Sequence, residues 1–211
     1  GIYVNDGCIL TLDKYTGGGT PQGVRIIGNE AGRAGGVRAN NSTVTMTGCT
    51  IRGNKSTDTS TDLSNAGGGG GVYIHGNTSG RPITMTDCTI QGNTAAAYGG
   101  GMCIEKGTII LTNCTIKGNT AKFGGGIYVR KIDTNTSTVT ITGGAIGGTG
   151  AGDENKATGS GADGGLGGGI YVAKDCALTL KDGAQVIGNT AQYGGGAYVA
   201  GGSFTMNGSS R

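Results

Sequence analysis

The side chains able to do chemistry are few, and their spacing separates a reactive site from a scaffold. Of six cysteines, Cys49, Cys88 and Cys114 each stand directly before Thr-Ile, in three successive copies of one phrase. If those copies stack, their Cα atoms come within disulfide range. Three thiols in one column cannot all pair with one another, so a disulfide and a stack of buried thiols both stay open. Cys8 and Cys176 share a second position but stand five repeats apart, too far to bond within one molecule. There is no C-x-x-C and no His-Cys spacing for zinc, and His75 is the only histidine. No catalytic, cofactor-binding or metal-ligating residue is therefore expected. Asp153, Glu154 and Asp163 could take calcium, although their spacing matches no known loop motif.

Charge and composition exclude several classes. A net charge of +3 over 211 residues, spread along the chain, makes no basic patch for nucleic acid. Arg52 and Lys117, with Arg130 or Lys131, could bind an anionic glycan or simply be scattered surface charges. No apolar run approaches the ~18 residues of a membrane span, and no signal peptide is visible. Forty-nine glycines without a Gly-X-Y period exclude collagen. They punctuate alternating apolar stretches, which also excludes a flexible linker.

Those stretches recur. One strand signal reads Gly1-Ile2-Tyr3-Val4, then returns at Val37, Val72, Met102, Ile127, Ile170 and Ala197. A second alternates apolar residues with threonine, as in Val44-Thr45-Met46 and Val139-Thr140-Ile141, the period of a strand with one buried face. A third centres on Ile26, Ile51, Ile90, Ile116, Ile146 and Val186, and five of the six run on into Gly-Asn. No helical stripe is present. Three short strands cannot bury a face alone, but coils stacked at a rise near ~4.8 Å can. The fold expected over residues 1–211 is an all-β, right-handed, single-stranded parallel β-helix of about seven coils, one domain. Loop insertions are expected at 13–23, 55–68 and 149–167, and loops are where such a scaffold usually carries recognition.

Stacking turns repeated residues into columns. Asn29, Asn54, Asn93, Asn119 and Asn189 are expected to form a structural ladder, since asparagine tolerates left-handed backbone and its amide both donates and accepts. The fifth copy has Gly148-Thr149 in place of Gly-Asn, which suggests a break there. Tyr3, Tyr73, Tyr128, Tyr171 and Tyr198 should point outward, as a glycan-stacking surface or as a sheet-stabilising column. Arg38 and Cys103 take the same place in other coils. Outward threonines such as Thr45, Thr84 and Thr140 resemble the ice-binding face of some antifreeze proteins, but Ile110 interrupts them and threonine is a good strand residue anyway.

The pairing of Gly-Gly-[Ile/Ala] at Gly125-Gly126-Ile127, Gly168-Gly169-Ile170 and Gly195-Gly196-Ala197 with Ile-x-Gly-Asn at Ile51, Ile90 and Ile116 resembles the repeats of chlamydial polymorphic outer-membrane proteins. Similar repeats occur in adhesin-like bacterial and archaeal surface proteins. The resemblance implies an extracellular or cell-surface location and a structural or adhesive role. Implied partners are like protomers or flanking coils at the open helix ends, and host or matrix glycans. The chain opens and closes within a repeat, so it is expected to be a segment of a longer protein or a protomer stacking head to tail into fibres. The rival expectation is a polysaccharide lyase or glycoside hydrolase. Against it, no pair of carboxylates recurs on one face, so the chain is not expected to be an enzyme.

Overall fold

Alternation builds the inner wall. In Thr43–Thr47 the order Thr-Val-Thr-Met-Thr turns Val44 and Met46 into the interior, where both are fully buried, and leaves the threonines outside. The same logic repeats in every coil, because each inward residue sits above and below one of its own kind. Ile83, for example, pairs in register with Val44 on one side and Ile109 on the other.

The computed structural model describes residues 1–14, 23–60, 68–76, 80–132, 134, 136–161 and 164–211. Their strands form a right-handed parallel β-helix with four sheets and no helices. The first sheet stacks Ile2–Asn5, Val37–Asn40, Val72–His75, Met102–Ile104, Ile127–Val129, Ile170–Val172 and Ala197–Val199. The second stacks Ile9–Leu12, Thr43–Thr47, Ile83–Thr86, Gly107–Thr112, Ser137–Thr142, Ala177–Lys181 and Ser203–Met206. The third runs from Arg25–Ile27 through Thr50–Arg52, Thr89–Gln91, Thr115–Lys117 and Ala145–Gly147 to Gln185–Ile187. All pairings are parallel and in register, so one apolar core, from Ile26 to Leu180, fills the coil axis.

Three strands per coil were expected; the structure has a fourth. It comprises Glu30–Ala31, Lys55–Ser56, Thr94–Ala95, Thr120–Ala121 and Lys156–Ala157. Two residues are too short for an alternation signal, and the inward member is small: Ser56, Ala95, Ala121 or Ala157. This corrects two expected insertions. The segment 55–68 begins as strand, because Lys55 pairs with Glu30 and Thr94, and it rejoins the coil at Gly68. The segment 149–167 is interrupted by Lys156–Ala157 and rejoins at Leu166. Most of the insertion at 13–23 lies outside the described residues.

Candidate functional site

The asparagines form a continuous ladder at the turn between the third and fourth sheets. Asn119 is fully buried, and its Nδ2 donates to Asn155 Oδ1 at 2.9 Å and to the Ile90 carbonyl at 3.0 Å. Its Oδ1 accepts from the backbone N–H of Asn93 at 2.9 Å and from Asn93 Nδ2 at 3.0 Å. The same exchange links Asn29 to Asn54, Asn54 to Asn93, and Asn155 to Asn189. The ladder is therefore not broken at Gly148. Asn155, from inside the insertion, supplies the rung, and six added residues arch out before it. Left-handed backbone falls on the preceding glycine instead of the asparagine: Gly118 has φ +63°, and none of the ladder asparagines has positive φ.

The tyrosine column points out of the first sheet, as expected, but is not open to a ligand along most of its length. Tyr73 is 1% exposed and Tyr128 5%, whereas Tyr3 is 57% exposed; Tyr171 and Tyr198 are half-buried. What covers it is the chain leading into each coil. Gly68, Tyr98, Phe123, Leu166 and Tyr193 pair in a column of their own, from which Tyr98 and Phe123 pack their side chains over the sheet. Tyr98 meets Tyr128 with ring centroids 4.7 Å apart, and Tyr128 stacks on Tyr171 at 4.6 Å and 13°. Tyr171 continues onto Tyr198 at 5.6 Å. Ala34, Ala97 and Cys103 complete this second apolar core. Burial pushes the Tyr73, Tyr98, Tyr128 and Tyr171 phenols above their ordinary pKa, so they stay neutral. A glycan could stack only on the end of the column.

A buried polar cluster was missed from sequence. At the C-terminal edge of the first sheet, successive coils carry His75, Glu105 and Arg130 at one position, since Glu105 N–H donates to the Ile74 carbonyl and Arg130 N–H to the Ile104 carbonyl. Glu105 is 1% exposed and its Oε1 accepts from Arg130 Nη2. Its Oε2 accepts from the Tyr73 hydroxyl at 2.5 Å and lies 2.8 Å from His75 Nδ1. Arg130 lies over the Tyr98 ring, 5.3 Å from its centroid, while its Nε and Nη1 find no hydrogen-bond partner among the described residues. Arg130 had been grouped with surface charges; it is buried. A carboxylate held on both oxygens and closed to solvent braces the second core and cannot reach a substrate. Aligning the residue after each first strand would have shown imidazole, carboxylate and guanidinium in consecutive coils.

The remaining candidates are placed as follows. Cys49, Cys88 and Cys114 form a buried column, none in a disulfide. Each thiol donates to the carbonyl two residues back and to one in the preceding coil, as Cys88 does to Thr86 and Met46. Lys117 pairs with Asp153 at 2.9 Å, which ties the insertion to the third sheet. Asp163 lies outside the described residues, and among those described no group of three or more His, Cys, Asp or Glu could hold a metal. Arg52 is exposed on the third sheet. Thr45, Thr84, Thr140, Thr179 and Thr205 line up across the second sheet with Ile110 among them.

Residues 113–130 match the family model described as the Chlamydia polymorphic membrane protein repeat. That segment holds the last thiol of the column, the ladder residue Asn119, the covering Phe123 and the strand Ile127–Val129. The match points to a surface-associated, outer-membrane-type repeat protein. Among curated proteins and among solved structures, nothing matches the chain.

Proposed function

We propose that this chain is an extracellular structural and adhesive β-helix of a cell surface, without enzymatic activity. The observation that carries this reading is the unbroken register of four parallel sheets, which makes a stiff rod whose stability grows coil by coil. The first and last coils offer strand edges to further coils, of this protein or of another copy. Exposed apolar residues in the two outer coils, Ile9 and Ile27 in one and Val199 and Met206 in the other, suit such contacts. No cofactor is required. Host or matrix glycans fit as partners for the turns, not for the covered tyrosines.

Negative-stain electron microscopy of natively isolated material, beside its intact mass, tests this reading. Rods or fibres of β-helix width are expected. Globular particles would refute it. Turnover of any member of a panel of uronate polymers would replace it with the polysaccharide-cleaving alternative.

A further inference from the structure

Seven of the 14 asparagines begin an Asn-x-Ser/Thr sequence: Asn40, Asn41, Asn54, Asn77, Asn113, Asn135 and Asn207. Ser and Thr make up 39 of 211 residues, so chance would place one two positions after fewer than three asparagines. Such a sequence is an acceptor for N-linked glycan only where a transferase can reach both the amide and the hydroxyl. The fold sorts the candidates. Asn54 is buried in the ladder, and its Ser56 donates to the Gly32 carbonyl at 2.8 Å. Asn40 donates to Asn5, and its Ser42 is fully buried against the Val4 and Asn40 carbonyls. Asn41 is half-buried and engaged in further contacts. Asn77 and Asn135 lie outside the described residues.

We propose that Asn113 and Asn207 are N-glycan acceptors, an inference that rests on the surface location proposed above. Asn113 is exposed at the turn from the second to the third sheet, with φ +52°. Cys114 turns inward, whereas Asn113 is exposed and Thr115 half-exposed. At the same turn the adjoining coils carry Asp87 and Gly143, and the missing side chain of Gly143 makes the space for the Asn113 amide, whose Oδ1 lies 2.5 Å from where a Cβ would stand. In the last coil Asn207, Gly208 and Ser209 are all exposed. The donor is a lipid-linked oligosaccharide. The amide nitrogen bonds to the anomeric carbon, the bond from that carbon to the lipid pyrophosphate breaks, and the amide proton passes to a base of the transferase. Neutral, hydrated sugar at the turns would supply the solubility that a surface with few charges lacks.

Glycopeptide mass spectrometry on natively isolated protein decides this. Asn113 lies in the tryptic peptide 107–117 and Asn207 in 182–211. Glycan mass is expected on both, and none on Asn40, Asn41 or Asn54. Unmodified peptides at both sites, or glycan on Asn54, would overturn the proposal; occupancy at one site alone upholds that site and rejects the other. Antibody labelling of intact cells separates the two readings, because labelled cells bearing bare Asn113 and Asn207 sink only the glycan. In a second assay, folded unglycosylated protein meets a purified oligosaccharyltransferase and a lipid-linked oligosaccharide. Transfer to both Asn113 and Asn207 is expected, with loss of the Asn113 glycan in Asn113→Gln or Thr115→Val and of the Asn207 glycan in Asn207→Gln. No transfer to the folded chain refutes the accessibility argument.

Discussion

Replacing Asn119 with alanine should cost far more than replacing Asn29, although both belong to one ladder. Truncation of Asn119 leaves the Asn93 backbone N–H without its acceptor and the Ile90 carbonyl without its side-chain donor. Two other groups retain partners: Asn93 Nδ2 keeps the Ile51 carbonyl at 3.0 Å, and Asn155 Oδ1 keeps the Asn119 backbone N–H at 3.1 Å. One buried group, the Asn93 N–H, is thus orphaned at about 1–3 kcal/mol, and the Ile90 carbonyl loses one bond at about 1 kcal/mol while its place in the parallel sheet keeps it paired, for a loss of about 2–4 kcal/mol. Asn29→Ala removes two donated bonds near solvent, while Asn54 Oδ1 keeps the Asn29 backbone N–H at 3.0 Å. That loss is about 1 kcal/mol. Domain stability of about 5–15 kcal/mol makes the first change severe and the second mild. In a chain of coils coupled only to their neighbours, the weakened joint also lets the two halves melt separately. Urea titration followed by circular dichroism, with hydrogen exchange to locate the break, measures both effects. Equal destabilisation by Asn119→Ala and Asn29→Ala would refute the reasoning, because the ladder would then be decoration and not a strut.

Tyr128→Ala should cost about 3–5 kcal/mol, as for other buried aromatics, and Tyr3→Ala under about 1 kcal/mol; equal shifts in melting temperature would show that the second core does not hold the coils. Arg130→Met should cost about 3–5 kcal/mol by stranding the Glu105 charge. The double change Glu105→Leu with Arg130→Met should cost less, and a double variant no more stable than the single would sink that account. Of six thiols, a water-soluble disulfide reagent should label only Cys8 in the folded protein and all six in denaturant. Burial, then neighbouring Cys88, raises the Cys49 thiol from 9.0 to about 11. Because the folded state holds that proton more tightly, the stability it contributes is present below pH 9 and is lost as pH rises towards 11. The stability difference between the native chain and Cys49→Ala should shrink across that window, and a constant difference would contradict it.

Sequence periodicity carried the architecture because β-helix registers are written in repeated residues. Ile51, Ile90 and Ile116 occupy one column whatever happens in the loops between them. The same reasoning failed where the repeat was interrupted or too short. Asn155 stands six residues later than its phrase demands, yet the open hydrogen bonds of Asn119 and Asn189 recruit it. The fourth strand is only two residues long, below any alternation signal. The tyrosines were placed on the correct side of the sheet but with the wrong exposure, since nothing in Ile-Tyr-Val says that Tyr98 or Phe123 folds back from the preceding turn. Glu105 was passed over because it occurs once, and repeats draw the eye to what recurs.

The covered tyrosines change where recognition can occur. A first sheet buried on both faces, with Ile and Val inward and Tyr outward, is a wall between two cores and has no free surface outside its ends. The third sheet is partly tied down by the Lys117–Asp153 pair. What remains open is the neutral threonine face of the second sheet and the turns. The turns vary most from coil to coil in length, while the strands keep their register. A rod of this kind therefore separates its tasks: the columns supply stiffness, and each turn can change its chemistry without disturbing a rung. The matched repeat, which includes the ladder residue, the covering aromatic and the strand but no long turn, is the part that this division leaves constant.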